Sequence, residues 1–148
     1  MTIETVSKAI VDLGEHITGI YSASEPPPDN LDTFQLPCLM VWAGRAVDDP
    51  QQGGDAVFVE TRLYRVQVAV SPKGQGLRSK VEEQCRDLIP TVKNFFRARA
   101  NLVGLAWVQS VKVTGDSGVV QLAEYDNNYL GFEIYLEVTE YVPKTFVD

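Results

Sequence analysis

The chain has 148 residues, 45% of them hydrophobic and 22% charged, which is the composition of one soluble globular domain and excludes a largely disordered chain. Thirteen Lys and Arg against twenty Asp and Glu leave a formal charge of −7, which argues against a protein that wraps nucleic acid, since neutralising phosphate takes clustered cations. One His and two Cys leave little for a metal cage or a His-based catalytic centre.

Met1–Lys8 lacks the basic start and the continuous apolar run of a signal peptide. No stretch approaches the ~18–20 apolar residues of a membrane span, so folding in the cytosol without a membrane is the expectation. Cys38 lies in an apolar run and Cys85 in a helical pattern. Both read as buried thiols, with a bridge between them as the alternative.

Ile3, Val6, Ile10, Leu13, Ile17 and Ile20 step by three and four, one face of a helix, which Gly19 is expected to end. The run Ser24–Asn30, with three prolines, predicts a surface loop in extended, polyproline-like backbone. Leu36–Gly44 is nearly all apolar and ends at Gly, so it predicts a buried strand. Arg45–Asp55 then reads as a polar, Gly-rich loop. Ala56–Ser71 predicts a long strand. Its charged Glu60, Arg62 and Arg65 suit a strand covered on one face and half exposed on the other.

Leu77–Ala100 predicts a long second helix that Pro90 should bend or restart. The last third alternates as strands at Trp107–Val113, Val119–Tyr125 and Tyr129–Val142, separated by turns at Thr114–Gly118 and Asp126–Asn128. The order α-β-β-α-β-β-β, with short turns, predicts a single α+β domain over residues 1–148: a mainly antiparallel sheet with two helices packed on one face. The other face carries Arg, Glu, Gln and Thr and is left to water or a partner.

Two motifs suggest chemistry. Gly115-Asp116-Ser117-Gly118 copies the nucleophile motif of trypsin-like proteases, but that chemistry needs a His within reach of the Ser, and the one histidine, His16, lies on the first helix. A hairpin turn of Gly, Asp and Ser explains the motif. Gly74-Gln75-Gly76-Leu77-Arg78-Ser79 sits where a dinucleotide fingerprint would sit, yet its third Gly is Ser and the Gly-Lys-Ser/Thr ending of a P-loop is missing. The adjacent carboxylates Asp48/Asp49 and Glu82/Glu83 match no calcium or zinc spacing. The residues name no catalytic group, cofactor or metal.

The helical stripe before the strand Leu36–Gly44, the long strand Ala56–Ser71 after a Gly-rich loop, and the long helix Leu77–Ala100 before closing strands that end with Tyr129–Val142 together resemble the tail-terminator proteins of long-tailed bacteriophages. The resemblance is one of pattern and size over nearly the whole chain. It implies a non-enzymatic virion protein, made in the host cytoplasm. Such a protein forms a homo-hexameric ring on the head-proximal end of the tail tube, stops tube polymerisation and joins the tail to the head connector. The partners implied are further copies of the chain, the tail tube protein and the head–tail connector protein. DNA enters only as cargo passing through an acidic lumen that repels phosphate.

A ring needs two different patches per subunit. The candidates are the loop residues Arg45, Asp48, Asp49, Gln51 and Gln52, together with Lys144, Phe146 and Val147 of a C-terminal tail over residues 143–148, where an apolar pair ends a polar run. The alternatives are a head–tail connector, neck or tail tube subunit, the same part of a tail-like bacterial particle, or a small α+β enzyme or ligand-binding domain with a deep pocket.

Overall fold

The computed structural model describes residues 3–25, 27–31, 34–49, 57–74, 78–99, 101–102, 104–105 and 107–143. Helix α1 is Ile3–Gly14, and the strands are β1 Ser22–Ser24, β2 Cys38–Asp49 and β3 Val57–Pro72. Helix α2 (Arg78–Arg97), β4 (Val108–Asp116), β5 (Val120–Gln121), a 3-10 turn at Ala123–Tyr125 and β6 (Tyr129–Pro143) follow. The strands form one six-stranded sheet in the order β1-β2-β3-β6-β4, with β5 also on β6. Every pairing is antiparallel except β1 with β2. The fold is α+β and dominated by its sheet.

Both helices lie on one face. Val66, Val68, Phe132, Ile134 and Leu136, all fully buried, meet Val6 and Ile10 of α1 and Cys85, Val92 and Phe96 of α2 in one core. Each large apolar side chain taken fully from water contributes about 1.5–3 kcal/mol, so the sheet and both helices are stable only together. Cys38 and Cys85 are free, buried thiols.

Several elements differ from the sequence reading. Helix α1 stops at Gly14, where a Cβ would come within 2.8 Å of Leu39. The stripe continues as tightened turns, Ile17 N–H donating to Gly14 O and Ile20 N–H to Ile17 O, so Ile17 and Ile20 are still buried. Strand β2 does not end at Gly44. It passes through a bulge between Ala43 and Ala46 and runs on to Asp49, so Arg45, Asp48 and Asp49 belong to a strand and not to a loop. Helix α2 runs through Pro90, which lies on its exposed side. Of the expected strand Val119–Tyr125 only Val120–Gln121 pairs; the chain then coils so that Leu122 and Tyr125 turn inward. Strand β4 continues past Val113 to Asp116.

The second face of the sheet is not simply left to water. A smaller cluster of Leu31, Cys38, Met40, Ala69, Leu122 and Tyr125 covers part of it. The Tyr125 hydroxyl donates to Pro28 O at 2.9 Å, tying the Pro-rich stretch to the 3-10 turn.

Strands β3 and β6 leave no room for a side chain at Gly131, where a Cβ would lie 1.9 Å from the Val68 carbonyl oxygen. Gly131→Ala must push two central strands apart, and we expect a loss of about 3 kcal/mol or more in urea unfolding. Gly115→Ala, whose Cβ would meet only a Tyr135 ring atom at 3.9 Å, should stay within about 1 kcal/mol of the parent.

Candidate functional site

The face of the sheet away from the helices carries two neighbouring features. The first is a polar network built on the middle of β2, β3 and β6. Cross-strand register places Trp42 beside Arg65, Arg65 beside Tyr135, and Gln67 beside Glu133. The 3-10 turn brings in Glu124. Trp42 Nε1 donates to Gln67 Oε1 at 3.0 Å, and Gln67 Nε2 donates to Glu124 at 2.7 Å and to Glu133 at 3.1 Å. Arg65 pairs with Glu133 and, at 3.4 Å, with Glu124, and its guanidinium lies 5.6 Å from the Trp42 ring centroid.

One arginine thus serves two carboxylates, and the fully buried Gln67 links them. Burial, and then the charge of Glu133, raise the Tyr135 hydroxyl above its ordinary pKa. An open cleft of about 410 Å³ lies over the network, between Ser117, Leu122 and Tyr135. Its polar groups mostly bind one another. Ser117, the serine of the protease-like motif, accepts a hydrogen bond from Glu133 N–H and donates to Gly118 O. Asp116 of that motif is held below its ordinary pKa, first by the hydrogen bond from Lys93 at 2.8 Å and then by that from Gly118 N–H. The motif is therefore a strand end and a turn, while the exposed His16 lies just past α1 in the helical layer. Among the described residues no group of three His, Cys, Asp or Glu could hold a metal ion.

The second feature is the far end of the sheet, where β2, β3 and β6 run on toward Asp49, Val57 and Pro143. On the face away from the helices Val47 is 66% exposed, Leu63 44% and Tyr141 39%. They surround a Thr61–Thr139 hydroxyl pair at 3.0 Å. On the helix side the row changes from apolar to charged. Asp48, Glu60 and Glu140 stand abreast across three strands. Arg62, one row in, binds Glu60 at 3.1 Å and donates to Gly44 O at 2.8 Å. Glu140 is only 5% exposed, and burial, followed by the charge of Glu60, raises its carboxyl above the ordinary range.

Of the predicted site residues, Arg45 and Asp48 are exposed on β2 at this far end, and Asp49 is the last residue of the strand. Arg45 sits in the bulge, and Asp48 heads the carboxylate row. Gln51, Gln52, Lys144, Phe146 and Val147 lie outside the described residues. Val47, Leu63 and Tyr141 were missed. The signal available was parity: Leu63 and Tyr141 share a face with Arg65 and Glu137, so an apolar residue there has no core to enter. Among the described residues no helix is long and apolar enough to cross a membrane.

No protein-family model matches the sequence, and no curated protein matches it.

Because its pKa is higher folded than unfolded, Glu140 binds its proton more tightly in the native state. It therefore favours folding more as pH falls from neutral through its folded pKa toward its ordinary value. Glu140→Gln should be more stable than the parent at pH 7 in urea titrations. That advantage should shrink steadily as the pH is lowered to 4.5, the ordinary value for Glu.

Proposed function

We propose that this protein is a structural subunit of a phage-type tail, a tail terminator. It would close into a ring on the head-proximal end of the tail tube, end tube growth and present a surface to the head connector. The observation that carries this reading is the far end of the sheet. Three large apolar residues, Val47, Leu63 and Tyr141, stand exposed around the Thr61–Thr139 pair on the face away from the helices, with the exposed Arg45 in the adjoining bulge of β2. Large apolar residues left exposed near one another, interleaved with polar ones, fit a protein interface. The α+β order and the placing of both helices on one face agree with the architecture expected for such a subunit.

The polar network of the middle sheet supports the same reading from another side. Its donors and acceptors are spent on one another, which makes a rigid scaffold. Charge fits too: each copy brings −7, so a ring of six carries about −42 before any ion binds, and an acidic lumen lets DNA pass without adhering. The protein would act in the virion at the head end of the tail, with the tube protein and the connector protein as its partners and without cofactor or catalysis.

Native mass measured over a range of concentrations, alone and with tail tubes, tests the proposal. The expected result is a closed species of six 16.4 kDa subunits, about 98 kDa, or a ring found only on tube ends. Open filaments formed by the protein alone would make it a tube subunit instead. A monomer or dimer that ignores tubes would overturn the reading. Deleting residues 144–148 should weaken ring assembly while leaving the urea midpoint of the subunit nearly unchanged.

A further inference from the structure

Among the described residues the sheet ends in two unpaired edges of matching height. On one side β1 pairs with β2 only at Cys38, Leu39 and Met40. From Val41 to Asp49 the outer edge of β2 has no strand beside it among the described residues. On the other side β4, Val108–Asp116, pairs with β6 on its inner edge, and among the described residues no strand lies on its outer edge.

Register places these edges at the same height. One row across the sheet reads Val41, Val66, Ile134, Asp116. Another reads Asp48, Glu60, Glu140, Val108. The free stretch of β2 and the whole of β4 therefore span the same rows, and β1 stops just below the first of them. Strand sense agrees as well. Each step from β2 to β3, β6 and β4 is antiparallel, so β4 runs opposite to β2. A copy generated by rotation about an axis along the strands keeps its strand directions. Its β4 then arrives beside the free edge of β2 antiparallel and without a shift in height.

Charge points the same way. From Leu88 to Asp116, the end of β4, the chain has four cations, Lys93, Arg97, Arg99 and Lys112, and one acid, Asp116, which pairs with Lys93, so this stretch is +3 and the rest of the chain −10. The basic stretch forms the end of α2 and all of β4. The opposite side carries α1, which packs on β1 and β2, with four exposed acids, Glu4, Asp12 and Glu15 on and just after it and Asp48 on β2, against two exposed cations, Lys8 of α1 and Arg45 of β2. Register breaks in β2 and β4 bend and twist both edges, and a sheet that closes on itself needs that curvature.

We infer that the partner of the free β2 edge is the β4 edge of a second copy of this chain. The sheets join edge to edge, head to tail, into one continuous antiparallel band around the assembly. This inference rests on the ring reading above and states which surfaces make the ring. Main-chain hydrogen bonds supply the contact, the two patches are different, as a closed ring of identical subunits requires, and closure leaves neither edge open to aggregate.

The row Val47, Thr61, Thr139, Ser110 crosses the face away from the helices, and it supplies the test. Within one chain Val47 and Ser110 are three strand spacings apart, about 14 Å, beyond the ~7 Å that a disulfide spans. Across the proposed junction they are direct neighbours. Val47→Cys and Ser110→Cys proteins are mixed under assembly conditions and oxidised, with Thr114→Cys, about 13 Å along β4, as the off-register partner.

Covalent dimers in the Val47→Cys and Ser110→Cys mixture, a covalent ladder up to ring mass in the double variant, and monomer with Thr114→Cys are the expected results. Native rings that do not cross-link, or that cross-link equally through Thr114→Cys, overturn the edge pairing and leave the ring reading standing. A protein that remains monomeric at every concentration and on tail tubes, with no cross-link, overturns both. Hydrogen exchange on the unmodified chain gives an independent measure. The amides of residues 41–48 and 108–116 should slow on assembly, and unchanged exchange in an assembled ring overturns the pairing.

Discussion

The antiparallel ladder between β3 and β6 is the member on which the rest of the molecule depends. It is registered from Val57–Pro143 to Pro72–Tyr129, with one irregularity at Ala69–Ser71, and every other strand attaches to one of these two, directly or through β2. Its central rungs, Val66–Ile134 and Val68–Phe132, are fully buried and form the floor under both helices. The opposite side of the same rungs is polar, so the ladder separates an apolar compartment from a hydrogen-bonded one at every second residue. Gly131 lets the two backbones meet where any side chain would collide with the Val68 carbonyl.

Polar satisfaction is uneven along that ladder. In the middle, Trp42, Gln67, Arg65, Glu124 and Glu133 complete one another's bonds. Toward the far end Arg62 Nε, the Tyr64 hydroxyl and Trp107 Nε1 are buried without a hydrogen-bond partner among the described residues. An unsatisfied buried polar group costs about 1–3 kcal/mol. The same end holds the carboxylate row and the exposed Val47, Leu63 and Tyr141. The fully buried apolar side chains therefore lie mainly under the helices, while the far end carries charged, exposed and, among the described residues, unpaired groups.

Much of the architecture could be read from the residues. Both helical stripes and the alternation of β3 and β6 follow from burial period alone, because one face of each element meets the core. The reading failed where a local signal competed with a distant partner. Gly44 looked like a strand end, but the β3 backbone beside it, with Leu63 O 3.0 Å from where a Cβ would be, shows a bulge through which pairing continues. Val119–Tyr125 alternates well enough for a strand, yet the pull of Leu122 and Tyr125 into the second cluster breaks it after Gln121. Strand β1 has three residues and pairs parallel to β2, and so short a segment carries no period. The polar network was not legible, because Trp42, Arg65, Glu124 and Glu133 become neighbours only through register and one 3-10 turn. Arg45 and Asp48 enter the sequence reading as residues of a polar, Gly-rich loop, while their place on a strand came from the fold.

The long ladder also has a consequence in time. Each of its rungs joins residues between 57 and 86 positions apart in the chain, and contacts so distant close slowly, since the entropy of the intervening chain is lost before they form. On the ribosome β3 is made early and must wait for β6, the last strand described. Until then the central strand has no partner on that flank, and the rows that align the two outer edges do not exist. A nascent or truncated subunit therefore cannot present both edges at once. In the proposed ring, β6 must therefore pair with β3 before the edges of neighbouring copies can meet, so formation of that strand would act as a checkpoint for assembly.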